Sequence, residues 1–526
     1  MKHAASLIFR SIILILAGVT IGLLLNNQGF VARQVSGNRK VDSALMIIKQ
    51  RYVDTVNIDT IETNAINGML QQLDPHSVFL AKQQARSVNE RLEGSFNGLG
   101  LEYILLRDTM VVTMVYPNSP AAKAGMTNGD HILSINKRQV AGTGITTDTV
   151  SKLLEGPFGT RITIAVKHLQ NGGQATYNLT RGPVPLTSLD AAYQLDAQTG
   201  YVKFSKFAST TDTDFRKAFS TFKKAGVNKL VIDLRGNRGG YLNAATALSN
   251  EFLPKGKLIV YTKGAHEPRQ DYTASGDGVF EQGKLAVLID EYSASASEIF
   301  AGAMQDLDRG VIIGRRSFGK GLVQQQFPFE DGSAINLTVA RYYTPSGRSI
   351  QKSYQKGVDE YRDEINQREQ KGELTSAAKN YNDPSLKKSN YHTEAGKKVY
   401  AGGGIMPDVF VPEDTTFNSQ LIGQLKAQRV FSAYTIDRLL PIINQYQSLD
   451  EFVQDYTVSD RQLHDFMVYA TSFVKNMDTA QANRSANNIR LYLKAYAARF
   501  KWGDAAYFRS LYYRDQCIAE AVRVLK

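Results

Sequence analysis

Cysteine is almost missing from this 526-residue chain: Cys517 stands alone. A single thiol closes no intramolecular disulfide and builds no thiolate cage for a structural zinc or an iron–sulfur cluster, and no cysteine near the start offers a lipid attachment site. Histidine is scarce, with seven residues. Charge of one sign is not dominant either: 62 Lys and Arg against 50 Asp and Glu leave +12, spread along the chain with no basic focus of the kind nucleic acid requires. Charged residues at 21% and hydrophobic ones at 43% exclude a disordered or fibrous chain. The length predicts three to four domains.

Long apolar runs are also rare, and the clearest one, SIILILAGVTIGLLL at residues 11–25, follows a basic flank of Lys2, His3 and Arg10. That order reads as an export signal or an N-terminal membrane anchor over residues 1–30. The uncleaved anchor is preferred because NNQGFVAR holds no small-x-small cleavage site. The flank sends the rest of the chain out of the cytoplasm, to the periplasmic side of a cell envelope, anchored in the inner membrane or soluble. Nucleic acid is then no partner.

Apolar spacing of three and four predicts helices over residues 38–92, ended by the proline of LDPHSVFL. Residues 93–183 alternate short apolar runs with turns and read as a small β-rich domain, with a short helix at TTDTVSKLLEG. Buried runs such as KLVIDLRGN and KLAVLIDEY, separated by helical stretches, predict an α/β core over 184–350 that resumes at 398–415. Residues 351–397 are polar and read as a surface insertion or mobile excursion. A C-terminal helical domain, 416–526, carries no legible chemistry.

The informative stretch is LAVLIDEYSASASEIF. A buried strand gives way to a helix that starts inside SASASE, where Ser295 and Glu298 fit a capping box. A serine at that turn is also where a nucleophile gains free amides and the positive helix end. Its base must come from elsewhere. No histidine sits in a supporting motif, whereas Lys320 in SFGKGLVQ lies between glycines, with Phe318 and Val323 to exclude water. An ammonium desolvated in that way becomes a base. The same stretch, GRRSFGK, matches a phosphate-binding loop, but Gly321 stands where a metal-binding hydroxyl belongs and the following residues look extended. The glycines of IDLRGNRGG serve either as a plain turn or as oxyanion donors.

In this order LDPHSVFL, FNGLGLEY, DLRGNRGG, SASASEIF, FGKGLVQ and GGGIMPD resemble the carboxyl-terminal processing peptidases, or tail-specific proteases, a serine–lysine family. The resemblance implies a multidomain α/β and β chain: a helical lead, a PDZ domain at 93–183, a crotonase-like α/β serine peptidase core, and the helical end. It implies Ser295 as nucleophile, Lys320 as general base and Gln324 as the residue orienting the amine. The oxyanion hole would be the amides of Gly240 and Ala296, with Gly239, Glu298, Asp306 and Ser317 in support. Leu99, Gly100 and Leu101 would receive a substrate's C-terminal carboxylate in the PDZ domain. No metal or organic cofactor is implied. The partners are protein substrates with accessible tails, the membrane through an uncleaved lead, and by analogy a second copy. The competing class is a catalytically inactive PDZ adaptor, which should have lost Ser295, Lys320 or Gln324; all three are present.

Overall fold

A computed structural model describes residues 39–169, 171–380, 390–415, 419–475 and 477–526. The expected export segment, residues 1–30, lies outside the described residues, and among those described no helix is long and apolar enough to cross a membrane. The chain divides into two units, Met1–Leu73 and Asp74–Lys526. The first contains the helices Arg39–Arg51 and Ile58–Leu70, the second of them capped by Asn57, which accepts the Thr60 amide at 3.1 Å.

The second unit is built on a six-stranded sheet in the order Leu189–Gln194, Thr199–Phe204, Lys229–Asp233, Lys284–Ile289, Val311–Gly314 and Val409–Phe410. The first pair is antiparallel and the rest are parallel. KLAVLI is apolar after its lysine because both faces of its strand are covered, as parallel sheets require. Leu285, Val287 and Ile289 pack with the helices Thr211–Lys224, Leu242–Asn250 and Ala296–Asp306. Ala286 and Leu288 face the opposite way, onto Cys517, Ile518, Ala521 and Leu525. The helix Gln516–Val524 therefore closes the back of the core, a role its sequence does not advertise. It buries the lone thiol of Cys517, and burial pushes its pKa up to about 11, which disfavours the thiolate.

A second, antiparallel sheet carries Leu322–Pro328 and Ala334–Tyr343 beside Val78–Leu80 and Leu258–Lys263. Between Ser95–Gly98 and Gly182–Pro185, which pair with each other as the way in and out, sits the PDZ domain. Its sheet begins at the edge strand Leu101–Leu106, and the longer of its helices is Thr147–Leu154, with Val150 buried and Leu153 and Leu154 packed against the core.

The polar insertion differs from a loose excursion. The helix Val358–Gln370 docks by burying charge: Arg368 donates to the carbonyls of Arg316 at 2.7 Å and Ser317 at 3.2 Å and pairs with Glu373, which also holds Arg316 at 2.7 Å. Composition hides such an element because its buried groups are charged and satisfy one another. Residues 381–389 of the insertion lie outside the described residues. The helical region that follows touches the PDZ domain at two points. Ala433 and Ile436 pack on Ile104, Leu106 and Val111 of the PDZ sheet, and Arg499 pairs with Glu102 at 3.0 Å.

Candidate active site

Three loops at the ends of the parallel strands converge, and each is tied to the others through its backbone. After Ile289, one oxygen of Asp290 accepts the amides of Gly236, Tyr292 and Ser293, each at 3.0 Å. Ser293 donates its hydroxyl to the Leu234 carbonyl at 2.9 Å. Ser295 follows with φ 57°, a left-handed conformation that costs a residue with a β-carbon about 1–3 kcal/mol unless its surroundings impose it. Here Glu298 imposes it, taking the Ser295 amide at 2.8 Å. The expected capping box is therefore half made. The Glu298 amide is met by the Ser295 carbonyl at 2.8 Å, and the serine hydroxyl makes no capping bond.

Glu298 is fully buried and accepts four hydrogen bonds: from the amides of Ser295 (2.8 Å), Gly319 (2.7 Å) and Lys320 (2.8 Å), and from the Ser317 hydroxyl. Burial raises its pKa, while these donors oppose the rise. Tyr342, from the second sheet, closes the same junction from the other side. Its hydroxyl lies 3.1 Å from the Ser295 carbonyl and 2.8 Å from that of Lys320, its one proton shared between them. The carboxylate and the phenol thus bind residues 295 and 320 to one another. Desolvation pulls the Lys320 ammonium down to about 8, against the opposing pull of Asp74 and Glu298. After the lysine the chain runs as the strand Leu322–Pro328, where a phosphate-binding loop needs a helix.

The RGG turn abuts the serine. A β-carbon on Gly239, at φ +100°, would lie 2.8 Å from that of Ser295, and one on Gly240, at φ +154°, would lie 2.0 Å from the Phe207 carbonyl oxygen. Only glycine fits at either position. Asn237 shapes the turn: its side-chain oxygen accepts the Gly239 amide at 2.9 Å, and its carbonyl accepts the Ala294 amide at 3.0 Å and the Ser297 hydroxyl at 2.8 Å. Among the described residues the amides of Gly240 and Ala296 have no acceptor. The Ala296 nitrogen lies 3.0 Å from where a β-carbon on Gly239 would sit.

The other expected site residues fall into four places. Ser317 belongs to the centre, bridging Glu298 and the Ile405 amide (2.6 Å) of the GGGIMPD turn. Gln324 donates to the Thr338 hydroxyl at 3.2 Å and makes no direct bond to Lys320 among the described contacts. Asp306 lies at the far end of the helix that Ser295 opens, ion-paired with the fully buried Arg348 at 2.7 Å. Leu99, Gly100 and Leu101 sit apart from these, in a groove of about 750 Å³ between the PDZ edge strand and Ser151 and Leu154 of its helix. Sequence reasoning missed Tyr342, which looks like any strand tyrosine, and Asn237, although it stands inside the DLRGNRGG motif. It also missed Asp74, whose only sequence signal is the LDPHS turn, and Thr338, which looks like any strand threonine.

Comparison with known proteins gives the following. A profile of peptidase family S41 matches residues 198–360, a PDZ domain profile matches 111–168, and the profile of the activating protease CtpB N-terminal domain matches 25–84. A family of unknown function matches 421–503. The chain is 34% identical over 308 residues to a carboxy-terminal-processing protease of Bartonella bacilliformis, covering 58% of this chain and 70% of that one. It is 32% identical over 325 residues to the carboxy-terminal processing protease CtpB of Bacillus subtilis, covering 61% and 66%. Among solved structures, the photosystem II D1 C-terminal processing protease is 30% identical, over 59% of this chain and 89% of that one, with a TM-score of 0.33.

Proposed function

Because this chain belongs to the carboxy-terminal-processing proteases, with a peptidase family S41 core and a PDZ domain, we propose that it hydrolyses peptide bonds with Ser295 as nucleophile and Lys320 as general base. The observation that carries this reading is the shared clamp: Glu298 Oε2 accepts the amides of both residues, at 2.8 Å each. Neutral Lys320 removes the Ser295 hydroxyl proton as the oxygen attacks the substrate carbonyl. The oxyanion of the tetrahedral intermediate is received by the Gly240 and Ala296 amides, the second at the positive end of its helix. The ammonium then protonates the departing amine. Water, deprotonated by the regenerated amine, cleaves the acyl-serine ester, and the proton returns to Ser295. Gln324, its nitrogen held by Thr338, keeps its amide oxygen as the acceptor that would orient the amine during turnover.

Substrates are proteins with accessible C-terminal tails. The edge strand Leu101–Leu106 offers an unpaired side on which a tail adds as a further strand, ending at the Leu99–Leu101 turn. The export reading of residues 1–30 places these substrates in the cell envelope. The test is to incubate an unstructured, apolar-tailed polypeptide with the wild-type protein and with Ser295→Ala and Lys320→Ala, and to map the cut sites by mass spectrometry. Loss of cleavage in both variants is expected; undiminished cleavage in either overturns the Ser–Lys reading.

A further inference from the structure

The turn at LDPHS reaches the Ser–Lys centre from a part of the chain that precedes the PDZ domain. Asp74 is buried there, and its carboxylate holds the turn: Oδ1 accepts the amides of His76 at 2.8 Å and Ser77 at 3.0 Å, and Oδ2 accepts the Ser77 hydroxyl. An aspartate that only shaped a turn would stop at these local bonds. Asp74 does not. Oδ1 also accepts the hydroxyl of Thr338 at 3.1 Å, across the second sheet. Ser77 anchors the same residue by accepting the Thr338 amide at 3.1 Å.

The link to Thr338 sets a direction. A threonine hydroxyl has one proton, and Asp74 takes it. Toward Gln324 Thr338 is then an acceptor only, and it receives the glutamine nitrogen at 3.2 Å. The glutamine carbonyl oxygen must point the other way. A carboxylate two hydrogen bonds removed thus decides which end of the Gln324 amide is offered to the lysine.

The carboxylate also acts on the lysine through space. Two carboxylates favour the charged form of Lys320, Asp74 foremost and then Glu298. Both carboxylates meet four donors, Glu298 within the clamp and Asp74 in its turn and at Thr338. Lys352, paired with Glu364 at 3.0 Å, Arg362 and Tyr361 bear on this side as well, and so does His76. Its pKa is pushed down to about 4 by burial and then by Lys320, so it stands neutral, with Nε2 at 2.8 Å from the Tyr361 hydroxyl. It adds no competing charge near neutral pH.

We propose that Asp74 is a positioning residue of the Ser295–Lys320 centre, orienting Gln324 through Thr338 and supplying the counter-charge for the ammonium that forms when Ser295 gives up its proton. The inference rests on the Ser–Lys reading above and adds to it a residue from outside the peptidase core. It has two separable parts, one through bonds and one through charge.

Asp74→Asn keeps one oxygen for the amides of His76 and Ser77 and the Thr338 hydroxyl and removes the charge, while its nitrogen replaces the oxygen that accepts the Ser77 hydroxyl. With the counter-charge gone the lysine loses its proton more readily, so the acid limb of kcat/KM against pH moves to lower pH by about one unit. Thr338→Val leaves the charge and breaks the link. Its kcat falls about tenfold with the acid limb unmoved, and Thr338→Ser restores it. An unmoved acid limb in Asp74→Asn overturns the charge part. Equal kcat in the wild type, Thr338→Val and Thr338→Ser overturns the orienting part, and these two substitutions leave the Asp74 turn intact should Asp74→Asn fail to fold. Ser295→Ala run alongside separates the two levels: cleavage surviving in that variant faults the Ser–Lys reading itself.

Discussion

The backbone amides of Ser295 and Lys320 donate to one and the same oxygen of a buried carboxylate, Glu298, at 2.8 Å each. The two residues stand 25 positions apart, on a strand-to-helix turn and on a loop between strands. Their meeting does not depend on the side chains that would react. The geometry is set by the peptide planes, which leaves the serine hydroxyl and the lysine amine free for chemistry.

Glu298→Gln tests that arrangement. An amide presents at most one oxygen where the carboxylate presents two, so a nitrogen must face at least one of the four donors. With a charged acceptor lost from the interior, unfolding in urea should show about 2–3 kcal/mol less stability, and proteolysis should fall by at least 100-fold even where the variant is fully folded. Activity near that of the wild type would mean the shared carboxylate does not set the geometry.

Tyr342→Phe is milder, because two carbonyls share one proton and each loses only part of a bond. About 1 kcal/mol of stability should go. The turnover number should drop about tenfold while KM stays put, since no substrate contact is removed. Steady-state kinetics on a tailed polypeptide decides this.

How much of this was legible follows from where the information sits. Ser295, Lys320 and the RGG glycines lie in local motifs whose turn chemistry a sequence displays directly. The alternation of the PDZ strands and the buried runs of the core are equally local, and the layers they imply are present. Glu298 was legible as a helix cap but not as the joint between two loops, because its second set of partners, Ser317, Gly319 and Lys320, is tertiary. Tyr342 and Thr338 act from strands that apolar spacing reads only as strands. The docking of the insertion's helix was not legible because charge reads as solvent-facing, whereas Arg316, Arg368 and Glu373 are buried together. Helix Gln516–Val524 covers the core sheet from the far end of the chain, and nothing local could announce it.

The acid limb of proteolysis should follow Lys320. Burial holds its pKa at about 8, so the amine is protonated and inert below that value and becomes a base above it. Activity therefore rises with pH through about 8, and at pH 7 only about a tenth of the molecules carry the neutral amine. Lys320→Arg keeps the positive charge but its guanidinium does not deprotonate, so cleavage should fall below detection across the whole range. A pH profile centred well below 7 would point to a different base.

Gly100 carries a prediction for the tail groove. Its φ of +80° and the 2.2 Å that would separate an added β-carbon from that of Ser119 leave no room for a side chain. Gly100→Ala should shift the turn from Leu99 to Leu101 and weaken binding of an apolar C-terminal peptide about tenfold or more, read by fluorescence anisotropy. The amidated peptide should bind the wild type about as weakly, because the turn amides then meet no carboxylate. Equal affinity for free and amidated tails would move the tail site elsewhere.

Asp306 separates stability from catalysis within one helix. It stands ten residues on from the first helical residue, Ala296, about 15 Å along the axis, and its partner Arg348 is fully buried. Arg348 also donates to Gln305 at 2.8 Å and to the Tyr400 carbonyl at 2.7 Å, while its Nε meets no partner among the described residues. Asp306→Ala strands a cation in the interior, which should cost about 3–5 kcal/mol in chemical denaturation. Below its lowered melting temperature the variant should retain the wild-type turnover number, because the clamp on Ser295 and Lys320 draws on Glu298 at the opposite end. A turnover number lost in fully folded Asp306→Ala would place Asp306 in the chemistry; an unchanged denaturation midpoint would show the pair with Arg348 contributes nothing to the fold.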